Sequence, residues 1–307
     1  MKRLLQRIAL VMSSLVISCS LTNVPSVYAS AQFTAHQSLT PAAVEQLAHD
    51  TLSKLSLEQE FSQFTNAKLL IMPLGPGTHS YIVHILQAAE PVGYLMITAT
   101  ESSGYAVTEY GTGSNPLFSS LLYPEDMAFS IDMYDPKFMK YKGLLAYWEL
   151  TDRDGNSIHI DASNGDQLPD FISYQSSPIT HSESLAGIQI EEQPGRLKLA
   201  SIPFNPSSNL QWLLSDALKV RNSAGLMNQI DQHKRLIFTA RKDNVWYSGP
   251  LAIIGYHSWK SKQSEHAVTF ARTGTSSAQI RYIPMDKLLG SGSFYVPSSN
   301  EIKNSAE

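Results

Sequence analysis

Cys19 is the only cysteine among 307 residues. A thiol can act as nucleophile, soft metal ligand or lipid attachment point, so its position decides which of these chemistries remain open. It follows an apolar run from Ile8 to Ile17, itself preceded by Lys2, Arg3 and Arg7. Pro25 and the small-residue ends Val27-Tyr28-Ala29 and Ala29-Ser30-Ala31 come next. A basic start, a short apolar run and small residues at a cleavage point are the layout of a secretory signal peptide, assigned here to residues 1–31. The run is too short to cross a bilayer. Val16-Ile17-Ser18-Cys19 also has the form of a lipobox, so lipid anchoring at Cys19 is the alternative to free secretion. Cleavage after Ala29 or Ala31 leaves no cysteine, which removes disulfides, thiolate nucleophiles and cysteine metal sites together.

The other candidate residues are weaker. His257 lies two residues from Trp259, and an imidazole beside an indole in a loop could hold a ligand. Asp152, Asp154 and Asn156 imitate the opening of a calcium loop. Counted from Asp152, however, glycine falls fourth (Gly155) rather than sixth, and Ser163 stands where the loop needs glutamate, so the run reads as a hairpin turn. Gly111-Thr112-Gly113-Ser114 and Gly290-Ser291-Gly292-Ser293 lack the lysine of a phosphate loop and the pattern of a nucleophile elbow. No His-Glu-x-x-His run occurs. Neither a metal nor a cofactor is expected. Trp212, Trp246, Tyr247, Tyr256 and Trp259 read as core rather than as a groove lining.

The elements that would position such residues divide into two groups. Residues 32–204 carry a formal charge of −12 and residues 205–307 carry +5. Opposite signs suggest two modules able to attract each other. The basic charges are scattered, so no nucleic-acid footprint is expected. Residues 174–209 lose periodicity and read as a linker between a module at 32–173 and another at 210–297, with a polar tail at 298–307.

Thr40-Pro41 reads as a helix start, and Val44, Leu47, Ala48, Leu52 and Leu55 then keep helical spacing. Ser56 and Gln59 suggest a second short helix through Phe61. Strands are expected at Lys68–Met72, Ser80–Leu86, Gly93–Thr98 and Tyr105–Tyr110, with a loop at Glu90-Pro91. A short helix is expected around Pro116–Leu122, and a hairpin at Lys140–Thr151 and Ser157–Asp161. Beyond the linker, Leu210–Val220 has helical spacing. Strands follow at Leu236–Ala240, Asn244–Tyr247, Leu251–Tyr256, Ala267–Ala271 and Ala278–Ile283. The turns are too short for parallel crossovers. The fold expected is therefore α+β, in two modules, each with helices packed on a mainly antiparallel sheet.

Gly143-Leu144-Leu145-Ala146-Tyr147-Trp148-Glu149-Leu150 followed by Asp161-Ala162-Ser163-Asn164-Gly165-Asp166 resembles the terminal hairpin of PepSY-type domains, with Asn164 and Asp166 in place of the usual Thr and Glu. Gly93–Thr98 with Tyr105–Gly111 is similar to the pro-regions of streptopain-like secreted peptidases. These resemblances cover roughly residues 40–170 and imply a segment that shields or chaperones a partner enzyme. Gly255–Trp259, Glu265-His266-Ala267-Val268 and Tyr282–Asp286 resemble the histidine half of papain-like peptidases of the bacteriocin-processing type. That resemblance implies His266 as base and Asp286 as its orienting partner, without the cysteine the chemistry requires. The expectation is an exported, non-catalytic binding or propeptide-like inhibitor protein. Its partner would be a secreted peptidase or an envelope protein. The alternative is an extracellular hydrolase of papain-like ancestry in which a serine or water replaces the thiolate.

Overall fold

Pro41 has no amide hydrogen to lose at a helix start, and its carbonyl accepts from Val44 N at 2.8 Å to open helix α1 (Ala42–Leu55). The proline itself occupies the N-cap, and no side chain, Thr40 included, caps the helix. Val44, Leu47, Ala48, Thr51, Leu52 and Leu55 are buried, so one helix face is committed to packing. A 3-10 segment at Gln59–Phe64 follows and buries Phe61 and Phe64. The structure is a computed structural model that describes residues 40–75, 79–100, 104–119, 122, 134–142, 144–152, 154–169, 187–240, 250–261 and 267–297. These belong to one unit, Thr40–Glu307.

Four strands come next: β1 (Lys68–Leu74), β2 (Ser80–Gln87), β3 (Glu90–Ala99) and β4 (Tyr105–Thr112). Each pairs antiparallel with the one before it. Strict alternation sorts their side chains. Val83 and Ile85 of β2 pack with α1, whereas Ile82 packs on the opposite face. The β2–β3 turn is Ala88-Ala89, both with positive φ, rather than the loop expected at Glu90-Pro91. Neither alanine carries the Gly or Asn signal that marks such turns in a sequence.

Strands β5 (Tyr134–Lys142), β6 (Leu145–Asp152) and β7 (Ser157–Asp161) form a separate antiparallel sheet. The expected single strand Lys140–Thr151 is in fact the end of β5 and most of β6. Trp148, Leu150, Ile160 and Ala162 cover Ile82, Tyr94 and Met96 of the larger sheet.

The second half adds β8 (Gln193–Leu199), helix α2 (Ser223–His233), β9 (Leu236–Ala240), β10 (Leu251–Lys260), β11 (Ala267–Ser276), β12 (Gln279–Pro284), α3 (Met285–Ser291) and β13 (Gly292–Tyr295). Leu210–Val220 is not a helix. Only a 3-10 segment forms at Leu210–Leu214, and the helix begins later, where the Asn222 side chain accepts from Gly225 N at 2.8 Å. Leu226 and Ile230 are its only buried residues, one turn apart, which is too sparse a stripe to stand out.

The large sheet has the order β1-β2-β3-β4-β12-β11-β10-β9-β13, with β8 also pairing β10. All its pairings are antiparallel. The architecture is α+β. The division into two modules is not confirmed: β4 pairs directly with β12, Tyr110 opposite Tyr282 and Gly111 opposite Arg281. The stretch read as a linker contains β8 and a bridge between Ile188 and Val107. Charge asymmetry and lost periodicity carry no information on strand partners, which explains the difference. Among the described residues no helix is long and apolar enough to cross a membrane.

Candidate functional site

Strand β10 changes partners along its length. From Ile253 to Lys260 it pairs with β11, beginning at Ile253 opposite Thr273. From Leu251 to Ile253 its other edge pairs with β9. Among the described residues no pairing joins Pro250–Ala252 to Gly274–Ser276, although both segments border the same cleft. The ladder therefore opens like a fork, leaving a space of about 320 Å³ between its tines. That is within the range of small-ligand sites.

The ends of the cleft come from three loops. Gly113 has a φ of 122°, and Ala278 O occupies the place a Cβ would take, so only glycine lets this loop press against the β11–β12 hairpin. Asn115 N then donates to Ala278 O at 2.8 Å. Gln279 Nε2 donates to Asn115 O and Ser163 O, both at 2.9 Å, tying the loop at 113–115 to the Asp161–Asp166 turn. Within that turn Asp161 Oδ1 accepts from Ser163 N at 2.7 Å and Ser163 Oγ at 2.6 Å. The turn singled out in the sequence thus supplies Ser163 and Asn164 to the cleft. Asn205 and Ser207 close the other side, held by a bond of 2.9 Å from Ser207 N to Asn205 Oδ1.

Arg281 is the only ionisable residue among the described residues of the lining, and its guanidinium is already engaged. Nε donates to Glu109 Oε1 at 2.8 Å, and Nη2 to Glu109 Oε2 at 3.2 Å and Leu144 O at 3.1 Å. The same carboxyl accepts from the Tyr94 and Tyr141 hydroxyls, each at 2.6 Å. Glu109 is fully buried, and four donated bonds offset its desolvation. Burial works against the Arg281 charge, but Glu109 outweighs it and holds the guanidinium protonated. Burial, reinforced by Glu109, pushes both phenols well above their ordinary range. A second, smaller cavity of about 20 Å³ shares Ser163, Leu251 and Arg281 with the cleft; it is about the size of one water.

The residues singled out from sequence do not assemble there. His266 lies outside the described residues, as do Cys19, Asn244–Tyr247 and residues 298–307. Asp286 is exposed in the first turn of α3, where Oδ1 accepts from Ser223 Oγ at 2.7 Å. His257 and Trp259 are not in a loop. They are fully buried on β10. The His257 Nδ1 shares a hydrogen bond of 2.8 Å with the Tyr110 hydroxyl, which also accepts from Trp259 Nε1 at 3.2 Å. Nε2 lies 3.2 Å from Glu58 Oε1, close enough for a charge pair but not aligned as a hydrogen bond. Phe61, Tyr110 and Tyr282 surround this histidine, Tyr110 and Tyr282 stacking at 4.8 Å. His257 and Trp259 are buried in the core beneath α1 and are not among the residues that line the cleft. Asp152 makes a turn rather than a calcium site: Oδ1 accepts from Asp154 N and Asn156 N, and Oδ2 from Asn156 Nδ2. Among the described residues no three His, Cys, Asp or Glu side chains converge on a metal position.

Thr273, Thr275, Ser276 and Gln279 were not found by sequence reasoning. Their only signal was Thr273-Gly274-Thr275-Ser276-Ser277, a run that any hairpin end could carry. Chemically the cleft offers hydroxyls, carboxamides and backbone groups. It can hold an uncharged polar group by hydrogen bonds, and the one ionisable side chain among its described residues is committed to Glu109. No protein-family model, no curated protein and no solved structure matches this chain.

Proposed function

We propose that the protein is an exported, non-catalytic binding protein that shields or inhibits a secreted peptidase, or holds an envelope protein, through the cleft between β10 and β11. The observation that carries the reading is the cleft's chemistry. Among the described residues it is lined by neutral hydrogen-bonding groups, and Arg281, the one titratable residue among them, already serves Glu109. Such a surface favours recognition over proton transfer, which needs a group free to gain or lose a proton. The amino-terminal layout supports export, and the PepSY-like and propeptide-like runs support a peptidase as partner. Freely secreted protein is the preferred form, with lipid anchoring at Cys19 as its alternative.

The test is inhibition and capture with the host's own secreted peptidases. Wild-type protein should slow casein hydrolysis by the culture medium and retain a peptidase on a column. Thr275→Trp, a filling substitution at an exposed position in the cleft, should do neither. Equal behaviour of wild type and variant, or no capture by either, would overturn the reading.

A further inference from the structure

The forked end of β10 and β11 has a shape that ordinary polar pockets lack. Its two long walls are edges of strands. Leu251 and Ala252 use one edge to pair with Phe238 and Ile237 of β9, which leaves the edge turned toward β11 without a described partner. On the far wall Ser276 pairs with Gln279 of β12, and its β10-facing side likewise meets no described strand. Every second residue of an extended strand presents its amide and its carbonyl along such an edge, and these groups are costly to leave unsatisfied out of water.

Two further observations point to the occupant. The described residues of the lining supply hydrogen-bonding groups and small side chains, without an aromatic ring among them. And the segment that closes the cleft with Asn205 and Ser207 continues into exposed apolar residues. Ile202 is 57% exposed, Leu210 54%, Leu213 58% and Leu214 91%. Buried Trp212, whose Nε1 donates to Pro206 O at 2.9 Å and whose ring lies 5.4 Å from Tyr295, pins this segment in place. Hydrogen-bonding strand edges, with exposed apolar residues a few positions along the chain from Ser207, match an extended polypeptide, whose backbone and side chains need both.

Resting on the binding reading above, we infer that the fork between Pro250–Ala252 and Gly274–Ser276 accepts an extended, uncharged polypeptide segment as an inserted strand. The open tines are three residues long, room for about 10 Å of extended chain. Because β10 and β11 run antiparallel, the inserted segment lies parallel to one wall and antiparallel to the other. Its flanking apolar side chains rest on Leu210, Leu213 and Leu214. An uncharged segment is favoured, since the described residues of the lining offer no free counter-charge.

The experiment uses the whole mature protein and fluorescein-labelled hexapeptides built from Val, Thr, Ser and Gly, read by fluorescence polarisation. The best binder is remade with N-methylated backbone amides and unchanged side chains, and maltohexaose serves as a second probe. Binding of the peptide, weakened at least tenfold by N-methylation and by Thr275→Trp, is the expected result. Binding indifferent to N-methylation, or binding of maltohexaose in place of peptide, overturns the inference. Failure of every peptide while wild type, but not Thr275→Trp, still captures its peptidase overturns strand insertion and leaves the binding reading standing. Loss of both overturns both. Thermal melts of Thr275→Trp matching wild type establish that the variant folds.

Discussion

Arg281 reaches diagonally across the β4–β12 pairing to Glu109, Nε to Oε1 at 2.8 Å. Its direct partner across the ladder is Gly111, two residues further along β4. The two residues are 172 positions apart in the chain, and their pairing sits where the acidic and basic parts of the sequence join one sheet. It also roots one wall of the cleft.

Removing one partner of this pair strands the other in a dry setting. Arg281→Met should cost about 3–5 kcal/mol, read as a lowered urea midpoint. Glu109→Leu combined with Arg281→Met should recover part of that loss, because no unpaired charge then remains. A double variant as unstable as the sum of both single ones would show that the pair is not coupled.

Tyr110 is the hub of the core beneath α1, since its hydroxyl serves both His257 Nδ1 and Trp259 Nε1. Tyr110→Phe keeps the ring stack with Tyr282 and deletes only the hydroxyl. Two buried nitrogens then lose their partner, at about 1–3 kcal/mol each. Thermal unfolding and the emission of Trp259 should both shift. A melt within error of wild type would mean that water replaces the hydroxyl at no cost.

Glu192 should make stability depend on pH. Burial pushes its carboxyl up to about 7, against the opposing pull of the Gln189 backbone and Lys54. The folded protein thus holds a proton that the unfolded chain releases near pH 4.5. The stabilisation is complete below that value and is lost as pH rises through 7. Glu192→Gln should flatten this slope and raise the melting temperature at pH 8 by about 2–4 °C, equivalent to ~1 kcal/mol after allowance for solvent. An unchanged slope between pH 4.5 and 7.5 would remove Glu192 as its source.

Cys19 separates the two export routes. With free secretion, Cys19→Ala leaves export unchanged, and amino-terminal sequencing of protein from the medium begins near Ser30 or Gln32. A blocked, lipid-bearing terminus at Cys19 and fractionation with membranes would establish anchoring instead.

Much of the first half was legible because its strands alternate. Ser80–Leu86, Gly93–Thr98 and Tyr105–Tyr110 each sit inside an observed strand, and the spacing of Val44, Leu47 and Leu52 marked α1. The second half was harder. Helix α2 buries only Leu226 and Ile230, and β8 with its Pro194-Gly195 pair carries no strand signal. The cleft was illegible for a deeper reason. It exists because the β10–β11 ladder ends at Ile253 while β10 runs on beside β9 at its other edge, and where a ladder ends depends on tertiary pairing that no local pattern records. Ser163 and Asn164 of the Asp161–Asp166 turn, and Gly113 of the Gly111–Ser114 run, are the points at which the sequence motifs touch it.

The central claim is that the fork between β10 and β11 is where a partner is held. Amide hydrogen exchange reports this residue by residue. It would be measured on the whole mature protein alone and with a peptidase-bearing fraction of the host's culture medium. Slowed exchange confined to Leu251–Ala252, Gly274–Ser276 and Leu210–Leu214 is the predicted result. Unchanged exchange at those amides, whether the rest of the protein is protected or not, would contradict it.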